Sequence, residues 1–220
     1  MQKPNRTMLT SLDNTLAMKF IPPLFRRICL RSRTVGGLCF VSLSFFLLLF
    51  SGGAYLGFLQ ISGNFHPIVP GEAYRSAQPS TQQIATYHKR YGIRTIINLR
   101  GENAGSLWYQ AEIAEAKRLG ITHLDFSMSA SEGLSPEQAP KLVALMQQAE
   151  KPLLIHCRGG ADRSSMAAAL YVAAITKQGE RAAEKQFSLH YGHIPLPWFE
   201  SYAIDQTWEV LEPWLGYPDS

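Results

Sequence analysis

The chain has 220 residues, 46% of them apolar, and a formal net charge of +4. That basicity excludes a nucleic-acid footprint as its cause: residues 1–34 carry seven Lys/Arg against one Asp, whereas the remainder carries fourteen against sixteen acidic residues. Of the three cysteines, Cys29, Cys39 and Cys157, only Cys157 lies beyond the apolar run described next, so a disulfide within the domain is excluded too.

Residues 1–34 read as a basic cytoplasmic segment, and the length of the chain fits one domain plus an extra part. From Val35 to Leu59 there are 25 residues without a charge, dense in Leu and Phe, long enough to cross a hydrocarbon core as a helix. Lys19, Arg26, Arg27, Arg31 and Arg33 precede this run, while Arg75 is the sole Lys or Arg in the twenty residues after it. The positive-inside rule then leaves residues 1–34 in the cytoplasm and puts the remainder across the membrane, in the periplasm or another extracytoplasmic space. Ser51-Gly52-Gly53-Ala54 offers small residues of the kind a signal peptidase cuts, but the run exceeds a usual signal-peptide apolar region. An uncleaved anchor over 35–59 is the expectation. Residues 60–71, with Gly63, Pro67 and Pro70, read as a linker, leaving 72–220 as a single domain with its own core.

Within that domain strands alternate with helices. Ala73–Ser76 reads as a short strand, followed by a helix capped by Ser80 or Thr81 and stopped at Gly92. Ile93–Leu99 is β-branched and continuously apolar, the pattern of a strand buried on both faces. A helix over 106–119 ends at Gly120, and Ile121–Phe126 reads as a strand. Ser135-Pro136-Glu137 reads as a helix start, Ser as cap and Pro in the first position. Leu153–His156 is a further strand, followed by helices over 165–175, 180–191 and 198–215. This alternation predicts an α/β domain with a parallel or mixed sheet covered on both faces.

The stretch His156-Cys157-Arg158-Gly159-Gly160-Ala161-Asp162-Arg163-Ser164 carries the chemistry. A thiol sits at the mouth of a strand, on a glycine-containing loop that feeds a helix N-terminus. Such a turn aims backbone N–H groups and the positive end of a helix dipole at one point. An anion is held there, and a cysteine there gives up its proton readily. Arg163, six residues after Cys157, adds a planar fork suited to two phosphate oxygens. Cys157 is thus the expected nucleophile, passing through a phosphocysteine, with Arg163 and the amides from Arg158 through Gly159, Gly160, Ala161 and Asp162 to Arg163 as the phosphate clamp. Gly159 and Gly160 would allow the tight path. His156 reads as an organiser rather than a base.

Cys-x5-Arg followed by Ser resembles the signature of the cysteine-dependent tyrosine and dual-specificity phosphatase superfamily. Tyr74-Arg75-Ser76-Ala77-Gln78-Pro79-Ser80 and Ile96-Ile97-Asn98-Leu99-Arg100 resemble elements of its atypical dual-specificity members, so the likeness spans roughly residues 70–195. The resemblance implies the phosphatase sandwich, a mostly parallel sheet of four or five strands flanked by helices, here preceded by one transmembrane helix. It also implies a hydroxyl at Ser164 that bonds the thiolate, and an aspartic acid that protonates the leaving oxygen. Two residues compete for that last role. Asp125 lies 32 residues before Cys157, at a strand end ahead of a Ser/Gly-rich loop, whereas Asp162 lies in the loop itself, as in myotubularin-like enzymes. Ser165 stands where loops of that superfamily often have glycine.

Arg75 and Arg100 read by default as solvated surface arginines, with support of the active site as the alternative. His190 and His193 lack the further ligands a metal would need, so neither metal nor cofactor is expected. The leading function is a membrane-anchored phosphomonoester phosphatase acting on lipid or other envelope phosphates, without a nucleic-acid partner. The alternatives are a protein tyrosine or dual-specificity phosphatase, a non-catalytic phosphate-binding pseudophosphatase, and a thiol oxidoreductase or sulfurtransferase.

Overall fold

The computed structural model describes residues 23–217, with side chains from Val41 onward; residues 1–22 of the expected cytoplasmic segment lie outside the described residues. A long helix, α1 (Pro23–Ser62), comes first. Within it Val41–Ser62 is apolar enough, by length and composition, to cross a membrane. The chain divides into two compact units at Ala54/Tyr55. The first holds most of this helix; the second, described from here on, begins with its last two turns.

The second unit is built on a five-stranded sheet ordered β1-β2-β5-β3-β4, with β1 (His66–Val69), β2 (Ala73–Ser76), β3 (Thr95–Asn98), β4 (Thr122–Asp125) and β5 (Leu153–His156). All neighbours are parallel except β1, which runs antiparallel to β2 at one edge. The α/β expectation therefore holds in class and layering. Residues 60–71, expected as a linker, instead hold the end of α1 and the edge strand β1. Their composition hid this, because Pro67 reads as a breaker but is tolerated on a strand with one free edge, and Pro70 lies in the turn after it.

The central strands are apolar on successive residues because helices cover both faces. Ile96 and Leu154 face α2 (Thr81–Tyr91) and α3 (Leu107–Leu119), in a cluster with Ile84, Tyr87 and Ala116. Ile97, Leu153 and Ile155 face the other way, onto α4 (Ala139–Gln148), α5 (Asp162–Leu170) and α7 (Tyr202–Leu215), through Leu142, Met166 and Trp208. All of these side chains are buried, so shortening Leu154 to Ala would cost about 2–5 kcal/mol in transfer and cavity terms.

The helix ends follow the predicted signals in part. Ser80 accepts from the Gln83 amide while Gln83 reaches back to the Ser80 amide, closing a capping box, and Gly92 and Gly120 end α2 and α3 in the left-handed region. The helix expected at Ser135 starts four residues later. Ser135 Oγ donates to Glu137 rather than capping a backbone amide, and residues 135–138 form a turn. Helix α5 begins at Asp162 and passes at Tyr171 into a π-helical turn, Tyr171–Ile175. The helix expected over 180–191 breaks into a short α6 (Glu180–Glu184) and a 3-10 turn (Leu189–Tyr191), and the last helix opens at Tyr202.

The register places Ser76, His156, Asn98 and Asp125 in one row across the carboxyl end of the sheet. Helices α2 and α3 lie on one face, α4 and α5 on the other, so the chain changes face at the central strand β5. In open parallel sheets a ligand crevice forms outside such a switch point. Cys157 is the first residue past it.

Candidate active site

Strand β5 delivers Cys157 to the sheet edge and α5 receives the chain at Asp162, which leaves a five-residue loop between. Four of its five carbonyls, those of Arg158 to Ala161, are taken by the scaffold. The Arg158 oxygen accepts from the Gln78 amide at 3.2 Å. The Gly159 oxygen accepts from Asn64 Nδ2 at 3.0 Å and Gln60 Nε2 at 3.3 Å. The Gly160 and Ala161 oxygens accept from one guanidinium nitrogen, Arg75 Nη2, at 3.0 and 2.9 Å. A trans peptide holds its N–H opposite its C=O, so the next amides point away from the scaffold. One of them, Gly160 N–H, donates to Cys157 Sγ at 3.2 Å, and Cys157 is 3% exposed.

Of the two glycines only Gly160 is required by geometry. Its φ is +68°, and a Cβ there would stand 2.5 Å from the Ala77 nitrogen. A Cβ on Gly159 would meet only the flexible end of Gln60, at 3.3 Å, so the expectation that both glycines are needed for the path is corrected.

Arg75 is fully buried on β2, which corrects its reading as a surface arginine. Besides the two carbonyls, its Nη2 reaches Ser165 Oγ at 2.7 Å, its Nη1 reaches the Gln186 carbonyl at 3.1 Å, and its plane lies 4.1 Å over the Tyr191 ring. Burial lowers its pKa to about 10, with Tyr191, Cys157 and Asp162 pulling back. It stays charged at neutral pH. Ser165, where loops of the superfamily often have glycine, also donates to the Ala161 oxygen at 2.5 Å, so the hydroxyl fastens the loop to its helix.

Arg163 reaches across the mouth, its Nη1 donating to the Met128 carbonyl at 3.3 Å and the Leu99 carbonyl at 3.5 Å. Arg158 is exposed at the loop tip. Arg100, read as solvated, lies 3.6 Å over the Trp108 ring and donates to Gln78 Oε1 at 2.8 Å. Its pKa is lowered by partial burial and by Arg163 and Arg158, so three guanidiniums crowd one rim.

His156 is fully buried and bonds through Nε2 to Glu112 Oε1 at 2.9 Å. Glu112 also takes His123 Nε2 at 2.6 Å and a short bond from Gln78 Nε2. Burial pushes the Glu112 pKa up, but His156 and His123 outweigh it and bring it to about 2. The signal for Glu112 was available: it shares the buried face of α3 with Tyr109 and Ala116, where a carboxylate needs partners.

The two candidate acids sit apart. Asp125 ends β4, two strands from β5, about 10 Å at ordinary strand spacing. Its carboxylate accepts from Asn98 Nδ2 at 2.8 Å and from the Tyr109 hydroxyl at 2.5 Å, which keeps that phenol protonated well above its usual range. Asp162 opens α5 and bonds His193 Nδ1 at 2.8 Å, while His193 Nε2 bonds Asp205 of α7 at 3.0 Å. Burial lowers the His193 pKa, but the two carboxylates more than reverse it, so the net shift is upward. Ser164 is fully buried and its hydroxyl has no partner among the described residues, so the expected bond from Ser164 to the sulfur is not made. The described acidic and histidine side chains include one group close enough to share an ion, Glu180, Glu184 and Glu212, away from this loop.

A family model described as "PTP-SAK: Swiss Army Knife protein, DSP-PTPase phosphatase domain" matches residues 62–194. Among solved structures, P. aeruginosa TpbA is similar at 21% identity, over 72% of this chain and 92% of that one, with a TM-score of 0.55. The core catalytic domain of the S. cerevisiae PP-IP phosphatase SIW14, in complex with citrate, is similar at 18% identity over 70% and 93%, with a TM-score of 0.53. PTPMT1 is similar at 18% identity over 69% and 98%, with a TM-score of 0.50. No curated protein matches the sequence.

Proposed function

The chain belongs to the Swiss Army Knife DSP-PTPase phosphatase family, whose members are cysteine-dependent phosphatases, and from that premise we propose that it hydrolyses phosphomonoesters at a membrane surface. One observation carries the reading of the site: four consecutive loop carbonyls are turned onto the scaffold, while the Gly160 amide points at the Cys157 sulfur. Cys157 attacks phosphorus in line, the P–O bond to the leaving group breaks, and the phosphoryl group rests on sulfur until water displaces it. Arg163 and the amides from Arg158 to Arg163 bind the equatorial oxygens, each charge-assisted bond supplying about 1.5–3 kcal/mol. The contacts of Arg163 with the Met128 and Leu99 carbonyls hold it beside the chain leaving β4, three residues after Asp125.

Asp125 is the proton donor in this scheme. Both carboxylates are hydrogen-bonded, Asp125 by Asn98 and Tyr109 and Asp162 by His193; the tie of Asp162 through His193 to α7 suits it to fixing the loop, which leaves the strand-end Asp125 for the proton. His156, through Glu112, orients the strand end that presents the sulfur. Residues 35–59 form an uncleaved anchor, with 1–34 in the cytoplasm and the catalytic unit outside it. The support is the charge bias around the apolar run, the burial of Leu59 at its end, and the bond of Gln60, the next residue, to the Gly159 carbonyl. A catalytic loop bonded to the end of an apolar helix favours phosphates carried by lipids or other envelope components.

The decisive test is turnover of p-nitrophenyl phosphate by the full chain in detergent, with Cys157→Ser as blank. Equal rates in the two proteins would leave only a phosphate-binding module. A panel of lipid headgroup phosphates against phosphotyrosine peptides then fixes the substrate, and preference for the peptides would replace the lipid reading. Asp125→Asn is expected to lose about 10²–10⁴-fold for poor leaving groups and much less for activated aryl phosphates. If Asp162→Asn shows that pattern instead, the roles are exchanged.

A further inference from the structure

Asn64 and Gln60 have no part in the family signature, and both lie in residues 60–71, which were expected to be a linker. Both donate to one atom, the Gly159 carbonyl oxygen, at 3.0 and 3.3 Å. That oxygen belongs to the same peptide unit as the Gly160 N–H, which points the opposite way, to Cys157 Sγ at 3.2 Å. Glycine flanks this peptide on both sides, so the plane is the one in the loop least restrained by its own side chains. The neighbouring planes are tied by a backbone amide at Arg158 and by the Arg75 guanidinium at Gly160 and Ala161. The Gly159 plane depends on two side-chain amides.

Those amides are themselves held. Asn64 is 1% exposed, with φ +46°, and its Nδ2 also donates to the Tyr191 carbonyl at 2.8 Å while its Oδ1 meets His66 Nε2 at 3.1 Å. Gln60 lies on the last turn of α1, beside the buried Leu59, and one turn earlier Tyr55 donates its hydroxyl to the His190 carbonyl at 2.8 Å. Gly63, between the two, donates to the Gln60 carbonyl, and its own carbonyl accepts from the Ala77 amide at 2.8 Å.

We infer that Asn64 and Gln60 are positioning residues for the phosphatase reaction: through the Gly159 carbonyl they orient the Gly160 amide on the sulfur, so the end of the apolar helix is part of the active site. The inference rests on the reading of Cys157 as nucleophile but adds a dependence that the reading does not need. A loose Gly159–Gly160 peptide turns its N–H away from sulfur and presents a carbonyl oxygen to the phosphate, which weakens thiolate and oxyanion together.

The test uses the full chain in detergent and two readouts, the rate of Cys157 alkylation by iodoacetamide at fixed pH and the inhibition constant of vanadate. Asn64→Asp keeps the shape but removes the donors, and is expected to slow alkylation and weaken vanadate about tenfold each, the loss of one well-placed hydrogen bond. Gln60→Met is expected to lose a smaller factor in both, and Gln60→Lys, which restores a donor, to recover most of it. A role in packing alone would leave Met and Lys at position 60 indistinguishable, and that result overturns the inference. Should Asn64→Asp fail to fold, the Gln60 pair still decides. A wild-type chain that alkylates normally yet turns nothing over would sink the phosphatase reading instead, while the variants' alkylation rates still test the peptide orientation.

Discussion

At the scale of single residues, the loop is governed by how backbone groups are divided between scaffold and ligand. Gly160 is the clearest case, because its positive φ and the Ala77 nitrogen 2.5 Å from a would-be Cβ leave no room for a side chain. Gly160→Ala is therefore expected to move the amide off the sulfur, and displacements near 1 Å at a reacting centre cost about a hundredfold in kcat/KM. Gly159→Ala, whose Cβ meets only the movable end of Gln60, is expected to lose far less. Steady-state kinetics with an aryl phosphate compare the two directly, and equal losses would show that the loop is not held as described. Arg75 makes a related point: a buried guanidinium satisfies the Gly160 and Ala161 carbonyls that would otherwise turn inward and repel phosphate.

At the scale of elements, polar chains tie helices to the sheet where apolar packing alone would not set their angle. Asp162 on α5, His193 in the preceding connection and Asp205 on α7 form one such tie. The His193 pKa is raised above its ordinary 6.5, so its contribution to stability is complete below pH 6.5 and fades as pH rises through the folded-state value. The gap in thermal midpoint between wild type and His193→Gln is thus expected to be widest near pH 6 and to narrow above neutrality. A gap that widens with pH would reverse the assignment. Glu112 behaves in the opposite sense: its pKa near 2 lies below the ordinary 4.5, so its contribution is complete above pH 4.5 and is lost as pH falls toward 2. Glu112→Gln is expected to approach wild-type stability in acid, as urea unfolding at pH 3 and pH 6 would show.

At the scale of the whole molecule, the proposed topology rests on the charge distribution and the apolar run. Residues 1–34 carry seven basic residues and one acidic one, and the net basicity of the chain comes from that segment. On the proposed topology, the intact chain stays with membranes through alkaline carbonate extraction, and its N-terminal peptide is recovered from the membrane-bound form. A mature protein beginning near Tyr55, in the soluble fraction, would make the run a signal sequence and end the anchor reading. Reporter fusions after residue 34 and after residue 220 should respond in opposite compartments.

Much of this was written locally. The thiol, the arginine six residues on and the strand before them mark the loop, because their spacing and the continuous apolar run of β5 are properties of adjacent residues. The helix stops at Gly92 and Gly120 were legible for the same reason. What fastens the loop was legible only in part: Glu112 sits on the buried face of a helix, but the partners of Asn64, Arg75 and His193 lie far along the chain. Each is a polar side chain whose reading depends on burial: in water it is a solvated surface group, and inside the fold it must find partners or cost several kcal/mol. Sequence by itself determined the family resemblance, the Cys-x5-Arg loop and most of the alternation of strands and helices, through local spacing and periodicity. Only the tertiary structure decided which buried polar groups hold the nucleophile's loop in place, because desolvation, and hence the need for those bonds, arises only once the layers close.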